Sequence, residues 1–170
     1  MVDCKIKTQR GFIGLLMVTV LLVVSLLIPA VVRITEAVFY NVSTMKTRMF
    51  VQNADDAKYV FVKYFHDHPD SVVASSSVSC GKVYIPPDTN PASFIISRDA
   101  WGGAVQYQKW DLRSESPPAS GLIIRFVSAG PDRVISTTKN LPCSNSDICY
   151  EIFNCEMDNL VTAYTVKNGS

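Results

Sequence analysis

The side chains with the most chemistry to offer in this 170-residue sequence are five cysteines, two histidines and a scatter of carboxylates. Cys80 is followed at a distance by Cys143, Cys149 and Cys155, the last three spaced by six residues. Structural zinc sites use tighter C-x₂₋₄-C pairs, so an even set at these intervals reads better as two disulfides in an oxidising compartment. Four cysteines allow three pairings, and the sequence does not choose among them. His66 and His68 flank Asp67. Alternate residues at a helix end do not share a face, so a solvated helix terminus is expected there in preference to a metal site. Catalysis would need a nucleophile with a base and an orienting group beside it, and the sequence has no G-x-S-x-G turn, phosphate loop or dinucleotide fingerprint. A non-enzyme is expected. With 16 Lys and Arg against 15 Asp and Glu, the net charge of +1 also argues against a nucleic-acid partner.

The element that must carry these residues is announced by residues 10–34, RGFIGLLMVTVLLVVSLLIPAVVRI, where no charge occurs between Arg10 and Arg33. A helix over residues 12–32 would be about 30 Å long at 1.5 Å per residue, the thickness of a bilayer core. Membrane lipid is therefore its expected surroundings. Lys5, Lys7 and Arg10 precede it, which predicts a single pass with the N-terminus cytoplasmic and the rest of the chain outside, in the periplasm of an inner membrane. A cleaved secretory signal has a shorter apolar core, about 7 to 15 residues, and a small-residue cleavage site. Beyond Arg33 the apolar residues Ile34, Val38, Val42, Met45 and Met49 recur at threes and fours, and Ala57, Val60 or Phe61, and Tyr64 resume the helical stripe. One helix over about residues 12–66 is predicted, kinked near Pro29 and ended by Pro69.

Residues 71–79 read as a polar linker, and Pro86 and Pro87 break the short apolar segment 82–85. Strand-like runs follow at 93–97, 104–110, 122–128 and 133–137, separated by turns and by the polar loop RSESPPASG. Runs this close favour an antiparallel sheet with the amphipathic half of the helix laid across one face, an α+β fold. The organisation read from the sequence is a leader over residues 1–11, a membrane helix over 12–32, its amphipathic continuation over 33–68, and an external domain over 69–170.

At the start of the membrane helix a short basic leader meets Gly11 and Phe12, and here the sequence resembles the type IV prepilin and pseudopilin family. Two further stretches carry the likeness. Asp99-Ala100-Trp101-Gly102-Gly103, followed by Val105, Gln106 and Tyr107, resembles the D-P-W-G-x-x-Y stretch of major pseudopilins of type II secretion, with Ala100 in the proline position. Ser128-Ala129-Gly130-Pro131-Asp132 resembles their S-x-G-x-D turn. The resemblance implies cleavage between Gly11 and Phe12 by a prepilin peptidase, N-methylation of Phe12, and assembly through the helix with other pilin or pseudopilin subunits on an inner-membrane platform. It also implies calcium as a ligand in the loop after the turn, with Asp132 and Asp147 as the carboxylates. Asp132 as a turn cap, with disulfides among Cys143, Cys149 and Cys155 as the staple, is the other reading of that loop. The family's glutamate at the fifth residue after the cut is replaced by Leu16, which points to a minor subunit rather than the main fibre builder. The same departure supports an alternative, an uncleaved signal-anchored periplasmic interaction module.

Overall fold

The computed structural model describes the backbone of residues 3–168 and the side chains of residues 14–168. The processing junction expected at Gly11 and Phe12 lies outside the described side chains. The chain divides into two units, residues 1–44 and 45–170.

Helix α1 (Asp3–Asp67) begins earlier than the sequence suggests and continues through Pro29. It is long and apolar enough to cross a membrane by length and composition. Within its apolar segment the Thr19 hydroxyl donates to Leu15 O at 2.9 Å and the Ser25 hydroxyl to Leu22 O at 2.8 Å. Such back-bonding lets a hydroxyl sit on an apolar helix without an unmet donor. The large apolar side chains of residues 15–32 are all exposed.

In the second unit, Phe50, Ala54, Ala57, Phe61 and Phe65 are buried, a stripe at threes and fours along the last turns of α1. The stripe packs with a three-stranded antiparallel sheet of order β3-β4-β5, made of β3 (Gln106–Lys109), β4 (Leu122–Ser128) and β5 (Ile148–Phe153). Phe61 meets Tyr107 of β3 at 5.8 Å and Phe126 of β4 at 6.1 Å between ring centroids. All seven residues of β4 are buried, as a central strand requires. A separate two-stranded antiparallel ribbon pairs β1 (Val72–Ala74) with β2 (Lys82–Tyr84). Helix α2 (Asn154–Asn168) follows β5 directly and adds Met157 and Val161 to the core.

The α+β architecture agrees with the sequence reading; several elements do not. Residues 93–97 form a helical turn instead of a strand, because the Asn90 side chain accepts the Ala92 N–H at 2.9 Å and the Ile96 N–H turns back to Ala92 O. Residues 133–137 are a loop, since their N–H groups go to a carboxylate and not to a neighbouring strand. Part of the expected linker is β1, and neither β5 nor α2 was anticipated.

One polar network ties α1 to the last two elements. Lys58 Nζ lies 2.8 Å from Asp55 and 3.1 Å from Glu156 of α2, while the Tyr150 hydroxyl of β5 donates to Asp55 at 2.7 Å. The Lys58 hydrogen bond, and then that of Tyr150, hold the Asp55 carboxyl below its ordinary value of 3.8. A lowered carboxyl contributes stability above its unfolded-state value and loses it as pH falls through the folded-state value. Asp55 is half exposed, so screening limits the effect to about 0.5–1 kcal/mol. Urea titration of wild type and Asp55→Asn is expected to show a gap of this size at pH 7 that closes as the pH drops below 3.8.

Candidate functional site

The two short stretches that carry the family likeness come together in the fold. An isolated bridge between Arg98 and Ala104 closes the loop of residues 99–103, and Asp99 organises it from inside. Its Oδ1 accepts the N–H groups of Trp101 at 3.0 Å and Gly103 at 2.7 Å. Its Oδ2 accepts the hydroxyl of Ser128 at 2.6 Å, and that hydroxyl oxygen in turn accepts the Gly130 N–H at 3.1 Å. Asp99 and Ser128 are both buried, so each bond is made away from water, where losing a partner costs most. The glycines are dictated by this arrangement. Gly102 sits at φ +84°, and a Cβ on Gly103 would lie 3.1 Å from the Asp99 carboxylate. Lys46 of α1 stands 5.9 Å over the Trp101 ring, a cation–π contact that joins the loop to the helix.

The chain after Ser128 turns through residues 130–132, with Gly130 at φ +66° and Arg133 at φ +60°. Asp132 is exposed and caps this turn, its Oδ1 accepting the Val134 N–H at 3.0 Å. Asp147 is buried and faces inward: its Oδ2 accepts the N–H groups of Ser136 at 2.9 Å and Thr137 at 2.6 Å. The Asp147 Oδ1 is buried with no partner. Calcium takes six to eight oxygens at about 2.4 Å. One orphaned carboxylate oxygen is far short of that set, and no group of three or more His, Cys, Asp or Glu side chains able to hold an ion forms among the described residues. The Cys143–Cys149 disulfide closes the segment around Asp147, and that carboxylate gathers the backbone of residues 136–137.

The four outer cysteines pair as Cys80–Cys155 and Cys143–Cys149, which selects one of the three connectivities. Among the described residues, His66 and His68 belong to no group of three or more metal-ligating side chains. His68 stacks on Tyr64 at 4.3 Å, its Nδ1 2.9 Å from Tyr64 O, and His66 meets the edge of Tyr164 at 5.1 Å.

Sequence reasoning missed a buried ion pair on the sheet. Arg125 of β4 is 1% exposed and contacts Glu151 of β5 at 2.7 Å, directly across the strand register. Arg125 also donates to Leu141 O at 2.9 Å and lies 5.3 Å from the Trp110 ring, so it pins the loop before Cys143 onto the sheet. A charged residue inside the apolar run LIIRFVS was the available signal, since a buried charge needs a partner.

No protein-family model matches the chain, and neither the curated proteins nor the solved structures contain a significant match.

Replacing Asp99 by Asn removes the charge that receives three hydrogen bonds and sets an amide against the Ser128 hydroxyl or a backbone N–H. Asp99→Asn is expected to lower stability by about 1.5–3 kcal/mol in urea titration, whereas Asp132→Asn at the exposed turn should change it by about 0.5 kcal/mol or less.

Proposed function

We propose that this chain is a structural subunit, a minor pilin or pseudopilin of a type IV pilus or type II secretion-like fibre. In this reading it is cut after Gly11, methylated on Phe12 and assembled through α1. The observation that carries the reading is the surface of α1. Residues 15–32 present large apolar side chains that are 45–68% exposed, enough to fill a bilayer core. Exposed apolar side chains then continue past Arg33, at Ile34, Val38, Phe39 and Tyr40, which are 55–75% exposed and lie beyond the length a bilayer core would cover. A tether would need about twenty apolar residues and nothing more. Helices of neighbouring subunits would cover the remainder.

Two further features support it. The basic leader with its Gly11-Phe12 junction supplies the processing signal, and the Trp-Gly-Gly and Gly-Pro-Asp stretches share one hydrogen-bonded network. The subunit would wait in the inner membrane with its N-terminus cytoplasmic and its disulfide-bonded domain in the periplasm. Its partners would be the prepilin peptidase, the assembly platform, membrane lipid and other pilin-type subunits. Leu16, where the family carries glutamate, favours a tip or rarely added position. It also sustains the second reading, an uncleaved membrane-tethered interaction module.

Intact-mass measurement of the protein from membranes, with and without a prepilin peptidase in the cell, separates the two. A species starting at N-methylated Phe12 that depends on the peptidase is the expected result; full-length protein in both cells would leave the tethered module.

A further inference from the structure

The two disulfides differ in what surrounds their sulfurs. In Cys80–Cys155, Asn154 Nδ2 donates a hydrogen bond to Cys80 Sγ at 3.1 Å, and the Ser79 hydroxyl lies 3.4 Å from Cys155 Sγ. The Lys82 carbonyl is 3.6 Å from Cys80 Sγ, but it already accepts the second Asn154 N–H at 2.7 Å. Asn154 cannot swing away, because its Oδ1 accepts the Tyr84 N–H at 2.9 Å and the residue is buried. In Cys143–Cys149, by contrast, Cys143 Sγ faces the Ser144 and Asp147 carbonyl oxygens at 3.7 and 3.9 Å, and the nearest hydroxyl, that of Thr137, is 3.9 Å from Cys149 Sγ. Donors stabilise a thiolate and carbonyl oxygens oppose one.

Access has a direction as well. A groove of about 700 Å³ opens onto Cys155 between Ser79, Ser116, Ser120 and Phe153. Cys155 lines this groove and Cys80 does not, while Asn154, which donates to the Cys80 sulfur, forms part of the groove's wall. A smaller cavity of about 350 Å³ reaches Cys143 and Cys149, so openness does not separate the two bonds, but their polar surroundings do.

We infer that Cys80–Cys155 is a thiol–disulfide exchange site, entered through the serine-lined groove by a partner dithiol and built to release Cys80 as the first thiolate. The partner's thiolate attacks Cys155 Sγ, the new sulfur–sulfur bond forms there, and the Cys80–Cys155 bond breaks with its electron pair left on Cys80. Asn154 stabilises that charge. The partner's second thiolate then attacks its own sulfur in the mixed disulfide and releases Cys155. Two electrons pass from the dithiol, which becomes a disulfide, to Cys80 and Cys155, which take up protons from water. Exchange unties the turn between β1 and β2 from α2 across 75 residues of sequence. The domain stays folded because the Asn154 bonds to Tyr84 and Lys82, and that of the Tyr84 hydroxyl to Asp158 at 2.8 Å, hold the same elements together. The site does not depend on the fibre reading and would serve a tethered module equally.

The test uses the full chain in detergent micelles, under native conditions. Dithiothreitol is added, free thiols are alkylated at intervals, and peptide mapping follows each cysteine separately from Cys4. Cys80 and Cys155 should become alkylated about tenfold faster than Cys143 and Cys149. Reduced glutathione, which lacks a resolving thiol, should be trapped on Cys155 and not on Cys80. Asn154→Asp keeps an acceptor for the Tyr84 N–H but puts a like charge beside the leaving sulfur, and should erase the rate preference. Equal rates for the two bonds in wild type, faster opening of Cys143–Cys149, reduction only in denaturant, or glutathione found on Cys80 would each overturn the inference. An undiminished preference in a folded Asn154→Asp protein would overturn the role given to Asn154.

Discussion

The second unit depends on one strip of contact, the stripe Phe50, Ala54, Ala57, Phe61 and Phe65 of α1 against the sheet built around β4. A three-stranded sheet has two faces and little area, and it is stable only when an element from outside covers the apolar one. Helix α1 supplies that cover with its final turns, and its two alanines let the helix approach closely while the phenylalanines fill the space on either side. The rest of the helix is under no such demand. Its side chains from residue 15 to residue 32 carry no charge, and the large ones among them are apolar and exposed.

Around that strip the polar groups act as fasteners, each closing a connection that the small core cannot secure alone. Asp55, Lys58 and Tyr150 join α1 to β5, with Glu156 extending the link to α2. Arg125 and Glu151 join neighbouring strands and reach the loop at Leu141. Asp99 and Ser128 join two loops, and Asp147 gathers a third inside a disulfide ring. A domain of this size gains little from a core that is mostly one helix and one sheet, so it is stapled. Asp132 fastens its own turn in the same way, through the Val134 N–H that it holds.

What could be read from the sequence was whatever repeats regularly. The long helix showed in its apolar stripe and β4 in its run of branched residues, and the α+β architecture followed from their order. β5 and α2 were hidden by the cysteines, which drew residues 143–155 into a reading as stapled loops. Yet Ile148, Tyr150 and Ile152 alternate as a strand does, and Met157, Leu160, Val161 and Tyr164 keep helical spacing. The segments wrongly expected as strands failed for local reasons, an Asn90 side chain that starts a turn and an Asp147 carboxylate that competes for backbone N–H groups. Both are contacts made by one side chain, which periodicity does not register. The Asp99–Ser128 bond is likewise invisible to periodicity, although each residue stands in a recognisable short stretch.

In the proposed assembly, the exposed apolar side chains of α1 past Arg33 meet other subunits. A photo-crosslinking amino acid in place of Phe39, which is 75% exposed, tests it in living cells that carry the fibre machinery. Assembly predicts a crosslink to the helix of another pilin-type subunit that disappears when the prepilin peptidase is removed. A crosslink to lipid alone, or one that is the same with and without the peptidase, would contradict it.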